Sequence, residues 1–261
     1  MLVKHAKLYK KIGIAKKYSY FCFFIQPMLF FQKKYRIIFF DLDHTLWDFD
    51  TNAYECLKEL FEEYGLQQAI GFEQFFAVYE RINKRLWAEY EAGNLRKDNL
   101  RSLRFYLTMK DFGIDDHDLA ERFGWAYTDR CPRKTHLFSH AIEVLDYLRP
   151  KYRMAIISNG FPEVQEIKLK ACGIANYFDK IFISEMVGYQ KPRPEIFHAA
   201  VTAFHAKKKH CLMIGDSWEH DITGARNYGI DQVYFNPKQQ QQQGRKANYE
   251  INSLRELMGI L

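Results

Sequence analysis

Cysteine is sparse, and its spacing is as informative as its number. The five residues, Cys22, Cys56, Cys131, Cys172 and Cys211, are odd in count and far apart, with no CxxC pair. This argues against a disulfide framework or a cysteine-rich zinc site and fits a reducing cytoplasm, with each thiol expected as a buried or neutral side chain. Acid is missing from residues 1–34, which carry eight lysines. Since the whole chain has a net charge of +6, the remainder sums to −2. A near-neutral body carries no nucleic-acid footprint.

An unbroken apolar span is missing as well. The run YSYFCFFIQPMLFF at 18–31 is interrupted by Gln26 and Pro27, and it is shorter than the roughly 20 apolar residues that cross a bilayer. No small-residue cleavage site follows it, so it does not read as a signal peptide. Its basic and aromatic composition would suit contact with a membrane interface. The plainer expectation is an extension, residues 1–34, that is disordered or, with translation starting at Met28, in large part artefactual. No stable membrane insertion is expected.

What remains is ordinary globular sequence, 48% hydrophobic and 27% charged over 261 residues, enough to bury a large core. From residue 35, short apolar runs alternate with helical patterns, which signals a parallel sheet covered on both faces. The runs are 35–40, 153–157, 180–183, 210–214 and 232–235, with helices expected near 139–149, 162–172, 194–206 and 218–228. One gap breaks the rhythm. Residues 50–131 read as four or five helices, stopped by Gly65, Gly93 and Gly113. The expected fold is therefore α/β, a Rossmann-like three-layer core (35–48 and 132–261) with an inserted α-helical cap (49–131). The KQQQQQ tract at 238–243 is expected to be a solvated loop.

Ligands of open parallel sheets bind beyond the carboxyl ends of the strands, and here each such end turns from apolar to reactive. The first runs into Asp41-Leu42-Asp43-His44-Thr45 and the second into Ser158-Asn159-Gly160. Lys191 follows the third, and Asp216 through Asp221 follow the fourth. Asp41 and Asp43, two apart on an extended segment, lean to one side. Their repulsion is relieved by a cation, and with Asp216 they form a hard oxygen set that suits Mg²⁺. Lys191 and Ser158 can meet phosphate oxygens. His44 and His220 are read as loop residues and not as ligands.

In combination these motifs resemble the haloacid dehalogenase superfamily: DLDHTL (41–46), ISNG (157–160), GYQKPRPEIF (188–197) and GDSWEHDI (215–222), in that order. The resemblance implies that Asp41 attacks phosphorus to give an aspartyl-phosphate and that Asp43 serves as acid and then base. It implies Thr45, Ser158, Asn159 and Lys191 as the phosphate-binding set. Mg²⁺ would be held by Asp41, the Asp43 backbone carbonyl and Asp216, with Asp221 supporting from behind. Dehalogenases of the superfamily lack an acid at position 43, so Asp43 favours phosphoryl transfer.

Three further segments, FFDLDHTLWDFDTNA, residues 83–105 and VGYQKPRPEIF, resemble the pyrimidine 5′-nucleotidase branch. The expected substrate is thus a small phosphorylated metabolite, a nucleoside monophosphate. Alternatives are a phosphatase of phosphoglycolate or a sugar phosphate and, with less support, a phosphomutase. A non-catalytic module is disfavoured because Asp41, Asp43, Lys191 and Asp216 are all present. Trp47, Phe49, Trp87, Tyr90 and Arg101, with Phe161 from the core, are candidates to face the leaving group, and cap–core packing is an equally good reading of each. Monomer and homodimer both stay open.

Overall fold

The computed structural model describes residues 34–242 and 244–261; the expectations for the basic extension, apart from Lys34, lie outside the described residues. Six strands, β1 (Ile37–Phe40), β2 (Arg153–Ser158), β3 (Lys180–Ile183), β4 (Cys211–Gly215), β5 (Asp231–Phe235) and β6 (Tyr249–Ile251), form one sheet. Their order is β3-β2-β1-β4-β5-β6, and every neighbouring pair is parallel. Five of these strands follow the apolar runs of the sequence. The sixth is only Tyr249–Ile251 at the sheet edge, too short for its pattern to stand out.

Strand alternation sorts the interior into two layers. Ile38 and Phe40 of β1, with Met154, Ile156, Leu212 and Ile214 of its neighbours, face one apolar cluster. Ile37, Phe39, Ala155, Ile157, Cys211 and Met213 face another. Helices α5 (Ala141–Leu148), α6 (Pro162–Ala171) and α10 (Leu257–Ile260) cover the first face, and the short α7 (Ser184–Val187), α8 (Pro194–Ala203) and α9 (Gly224–Tyr228) the second.

Between β1 and α5 lie four helices, α1 (Phe49–Glu63), α2 (Phe72–Glu91), α3 (Lys97–Lys110) and α4 (His117–Arg130). Gly65 and Gly93 follow the first two in left-handed conformation, at φ 72° and 78°, which spares the Cβ clash that other residues would meet. The inserted helices share an aromatic interior in which Tyr79 stacks on Phe105, with centroids 5.4 Å apart. This interior is continuous with the first face of the sheet. The Gln tract is irregular and mostly exposed over its described residues.

The chain enters and leaves the helical insert side by side. Asp48 N–H donates to the His136 carbonyl at 3.1 Å and Phe138 N–H to the Leu46 carbonyl at 2.9 Å. Asn52, fully buried, locks the two passages together. Its Nδ2 donates to the Asp48 and His136 carbonyls at 2.7 and 2.8 Å, and its Oδ1 accepts from His136 N–H at 3.0 Å. Asn52→Ala leaves those groups buried and unmatched, which should cost about 1–3 kcal/mol in a urea-unfolding measurement. A loss inside about 0.5 kcal/mol, the scatter of neutral surface changes, would show that the staple is not structural.

Candidate functional site

Register delivers the reactive residues to one rim. Phe40 pairs with Ile156 and with Ile214, so Asp41, Ile157 and Gly215 are level and Ser158 and Asp216 stand one step beyond. Lys191 reaches back into this rim. Its Nζ donates to Asp41 Oδ1 and to Asp221 Oδ1, both at 2.6 Å, and the side chain is 3% exposed. Asn159 fixes it there: Asn159 Oδ1 accepts from Lys191 N–H at 2.8 Å and Nδ2 donates to the Lys191 carbonyl at 2.9 Å.

Asp221 arrives on a π-turn, Trp218–Thr223, where a plain helix was expected. The Ser217 carbonyl accepts from both Asp221 N–H and Ile222 N–H, at 3.0 and 3.2 Å. This widening swings the carboxylate under β4; such bulges are frequent at functional sites. A Cβ on Gly215 would stand 2.2 Å from Asp221 Oδ2, so only glycine leaves room for it. Thr45, expected to meet phosphate, is fully buried and tied to Asp216 instead. Its Oγ1 donates to Asp216 Oδ1 and accepts from Asp216 N–H, both at 3.1 Å.

Asp41, Asp216 and Asp221 each offer an oxygen within 4.8 Å of the others. Burial first, then Asp221 and Asp43, push the Asp41 carboxyl up to about 7 although Lys191 pulls it down. Burial first, then Asp41 and Asp221, hold Asp216 well above the carboxylate range. Burial would lower Lys191, but Asp221 and Asp41 more than reverse this.

Asp43 is turned elsewhere. Lys168 Nζ donates to its Oδ1 at 2.5 Å and Gln165 Nε2 to its Oδ2 at 2.7 Å. Burial pushes its carboxyl up, but Lys168 and Gln165 win and hold it below the usual range. Gln165 Nε2 also donates to Ser158 Oγ at 2.7 Å, which links the acid of β1 to the hydroxyl of β2. Neither Gln165 nor Lys168 was singled out from the sequence. Both are buried on α6, while apolar Val164 and Ile167 of the same helix are only half-buried.

Two cavities meet here. One, about 800 Å³, is lined by Asp41, Asp216, Asp221, Ser158 and Lys191. The other, about 310 Å³, is lined by Trp47, Arg101, Phe161 and Lys168 among others. Asp43, Phe49, Trp87 and Gly160 belong to both walls. Trp87 stacks on Phe161 at 5.2 Å, which brings together residues of the insert and the core. Tyr90 packs edge-on against both rings and lines neither cavity.

A family model for haloacid dehalogenase-like hydrolases matches residues 35–229. The chain belongs to that family. The pyrimidine 5′-nucleotidase YjjG of Escherichia coli is 31% identical over 230 residues, 87% of this chain and 98% of that protein. The pyrimidine 5′-nucleotidase PynA of Streptococcus pneumoniae is 32% identical over 233 residues, 87% of this chain and 95% of that protein. Among solved structures, the HAD-hydrolase YfnB from Bacillus subtilis, bound to magnesium, matches with TM-score 0.79 at 30% identity, covering 88% of this chain and 99% of that one.

In this haloacid dehalogenase-like hydrolase the acid cluster fits a divalent cation. Two buried carboxylates, Asp41 and Asp221, and the half-buried Asp216 bring their oxygens together with a single ammonium among them, and desolvation that this one cation only partly offsets is what raises Asp41 and Asp216. Hard oxygen donors of this kind suit magnesium. Because Asp41 sits above its ordinary 3.8, its contribution to stability is complete below that value and is lost as pH rises through about 7. A cation that binds the ionised form reverses the loss. Magnesium at about 100 times its Kd should therefore add roughly 2.7 kcal/mol, or about 5–10 °C in Tm. The increment should grow from pH 5.5 to pH 8 and largely vanish in Asp216→Asn. A pH-independent increment that survives this substitution would contradict the assignment.

Proposed function

We propose that this hydrolase is a Mg²⁺-dependent phosphomonoesterase that acts through an aspartyl-phosphate on nucleoside 5′-monophosphates, those of pyrimidines foremost. The observation that carries the reading is the division of labour between two aspartates two residues apart. Asp41 joins the acid cluster and Lys191, while Asp43 is held out of it by Lys168 and Gln165. The names of the relatives YjjG and PynA support the substrate class.

In the first half-reaction an Asp41 oxygen bonds to phosphorus as the bond to the leaving oxygen breaks, and Asp43 gives that oxygen its proton. In the second, Asp43 takes a proton from water as the water oxygen bonds to phosphorus. The Asp41–phosphorus bond then breaks and inorganic phosphate leaves. The depressed carboxyl of Asp43 is the base form needed for the second half. The acid form is favoured when an anionic phosphoryl group stands beside it, because like charge raises a carboxyl.

Lys191 and Ser158 hold the phosphoryl oxygens, and Asn159 keeps Lys191 in place. A magnesium ion bound by Asp41, Asp216 and the Asp43 carbonyl supplies charge neutralisation at the phosphoryl group. Residues 49–131 act as a cap over the core of 35–48 and 132–261. Lys97 of α3 anchors it through Glu163 and Glu185, at 2.9 and 3.0 Å.

Phosphate release from UMP and dUMP should exceed release from phosphoglycolate and should stop with a chelator; equal rates, or turnover that survives chelation, would remove the nucleotidase reading or the metal. Asp41→Asn should lose all but about a thousandth of the activity. Asp43→Asn should lose about 10²–10⁴-fold on UMP and much less on p-nitrophenyl phosphate, whose leaving group needs no proton. An equal loss on both substrates would show that Asp43 is not the acid.

A further inference from the structure

Helix α3 sends one cation inward that the chemistry above does not use. Arg104 is 6% exposed, and the one hydrogen bond of its guanidinium runs from Nη1 to Asn83 Oδ1 at 3.1 Å. Its Nε is buried with no acceptor, and no described carboxylate pairs with it. The rings of Phe105 and Tyr127 lie 5.0 and 4.8 Å from its Cζ. A guanidinium has five donors, and stripping it of water is costly unless an opposite charge or a full set of acceptors compensates. Among the described residues that compensation is incomplete.

Arg104 lines the cavity of about 310 Å³ whose wall also includes Asp43. That is the scale of a site for a small ligand. Trp47, Phe49, Trp87, Trp125 and Tyr127 in the same wall give it aromatic faces, suited to a flat ring. We propose that this cavity takes the leaving-group half of the substrate, a pyrimidine nucleoside, and that Arg104 donates to a carbonyl oxygen of the ring. The inference rests on the phosphomonoesterase reading, since Asp43 marks where the leaving oxygen stands. The ring carbonyl next to the glycosidic bond is shared by uracil, thymine and cytosine, whereas adenine has none. Arg104 therefore reads what the pyrimidines have in common.

The test compares wild type with Arg104→Met, Arg104→Lys and Asn83→Ala on UMP, AMP and ribose 5-phosphate, with Mg²⁺ present. Arg104→Met should lower kcat/KM for UMP about 10- to 100-fold, the scale of a lost charged hydrogen bond, chiefly through KM. Ribose 5-phosphate, which has no base, should change less than about twofold. Arg104→Lys should recover part of the loss. An equal fall on UMP and ribose 5-phosphate, or no fall on UMP, overturns the proposal. If Arg104→Met does not fold, Asn83→Ala decides: it removes the contact that orients the guanidinium, and ribose 5-phosphate reports any effect Asn83 has through the wider cavity that it also lines. A smaller loss confined to UMP then supports the proposal, and an unchanged ratio of UMP to ribose 5-phosphate overturns it. Calorimetric titration with uridine separates this inference from the reading beneath it. Uridine bound by wild type and lost in Arg104→Met supports the cavity even if UMP proves a poor substrate. Uridine bound equally by both, or by neither, overturns it.

Discussion

A buried ammonium between two buried carboxylates organises this rim. Lys191 touches Asp41 and Asp221 at the same distance, 2.6 Å, and the three groups would each be costly alone in a dry interior. Much of the surrounding structure secures that contact. Asn159 grips the Lys191 backbone from β2, the π-turn swings Asp221 inward, and Gly215 makes room for it. With Asp216 included, three carboxylates face one ammonium, so the ionised cluster is two positive charges short. A rigid site with an unmet negative charge is prepared for a cation, and a cation prepares it for a phosphoryl group.

The neighbouring acid shows how local surroundings divide roles between identical side chains. Asp41 and Asp43 leave the same strand and both are desolvated, yet burial and then the acidic neighbours raise one while Lys168 and Gln165 overcome burial and lower the other. Lys168 is itself steadied by aromatic faces, with Nζ 4.1 Å from the Trp47 ring. On the proposed mechanism the free protein holds both acids away from the states that the first step needs, and the ligands correct each one. Asp41 would be drawn down to its nucleophilic form where a cation is held beside it, and Asp43 would be drawn up to its acidic form beside phosphoryl charge. Pairs of carboxyls pushed apart in this way are a mark of acid–base sites.

The sheet and the rim were legible in the sequence because each rests on a local rule. Doubly buried strands need continuous apolar runs, and reactive residues followed those runs directly in the chain. Other features depend on what tertiary packing places opposite. The π-turn at Trp218–Thr223 shares its composition with an ordinary helix, so the pattern pointed to a helix at 218–228. The sheet edge at Tyr249–Ile251 is too short to show a period. Thr45 sits in the first motif, but only the fold shows its hydroxyl tied to Asp216. On α6 the usual code is inverted, since polar Gln165 and Lys168 are buried and apolar Val164 and Ile167 border a cavity. A reading that assigns polar residues to solvent discards the two that hold Asp43.

Arg104 is the same inversion on the inserted helices, and there a signal was present. Arg101 drew attention as a basic residue within the insert, and the structure lays it over the Trp125 ring at 3.9 Å, close to the surface. Arg104, three residues on, falls on the buried side of α3 with Leu100, Phe105, Thr108 and Met109. A cation among positions spaced to face the interior breaks the helical pattern, and packing alone gives no reason for it: a leucine there would avoid the desolvation. An apolar face interrupted by a charge therefore points to a ligand more strongly than a basic residue on an accessible face. The chemistry of this hydrolase is declared at its strand ends, and the selectivity of the proposed site is carried by polar residues that break the apolar pattern of its helices.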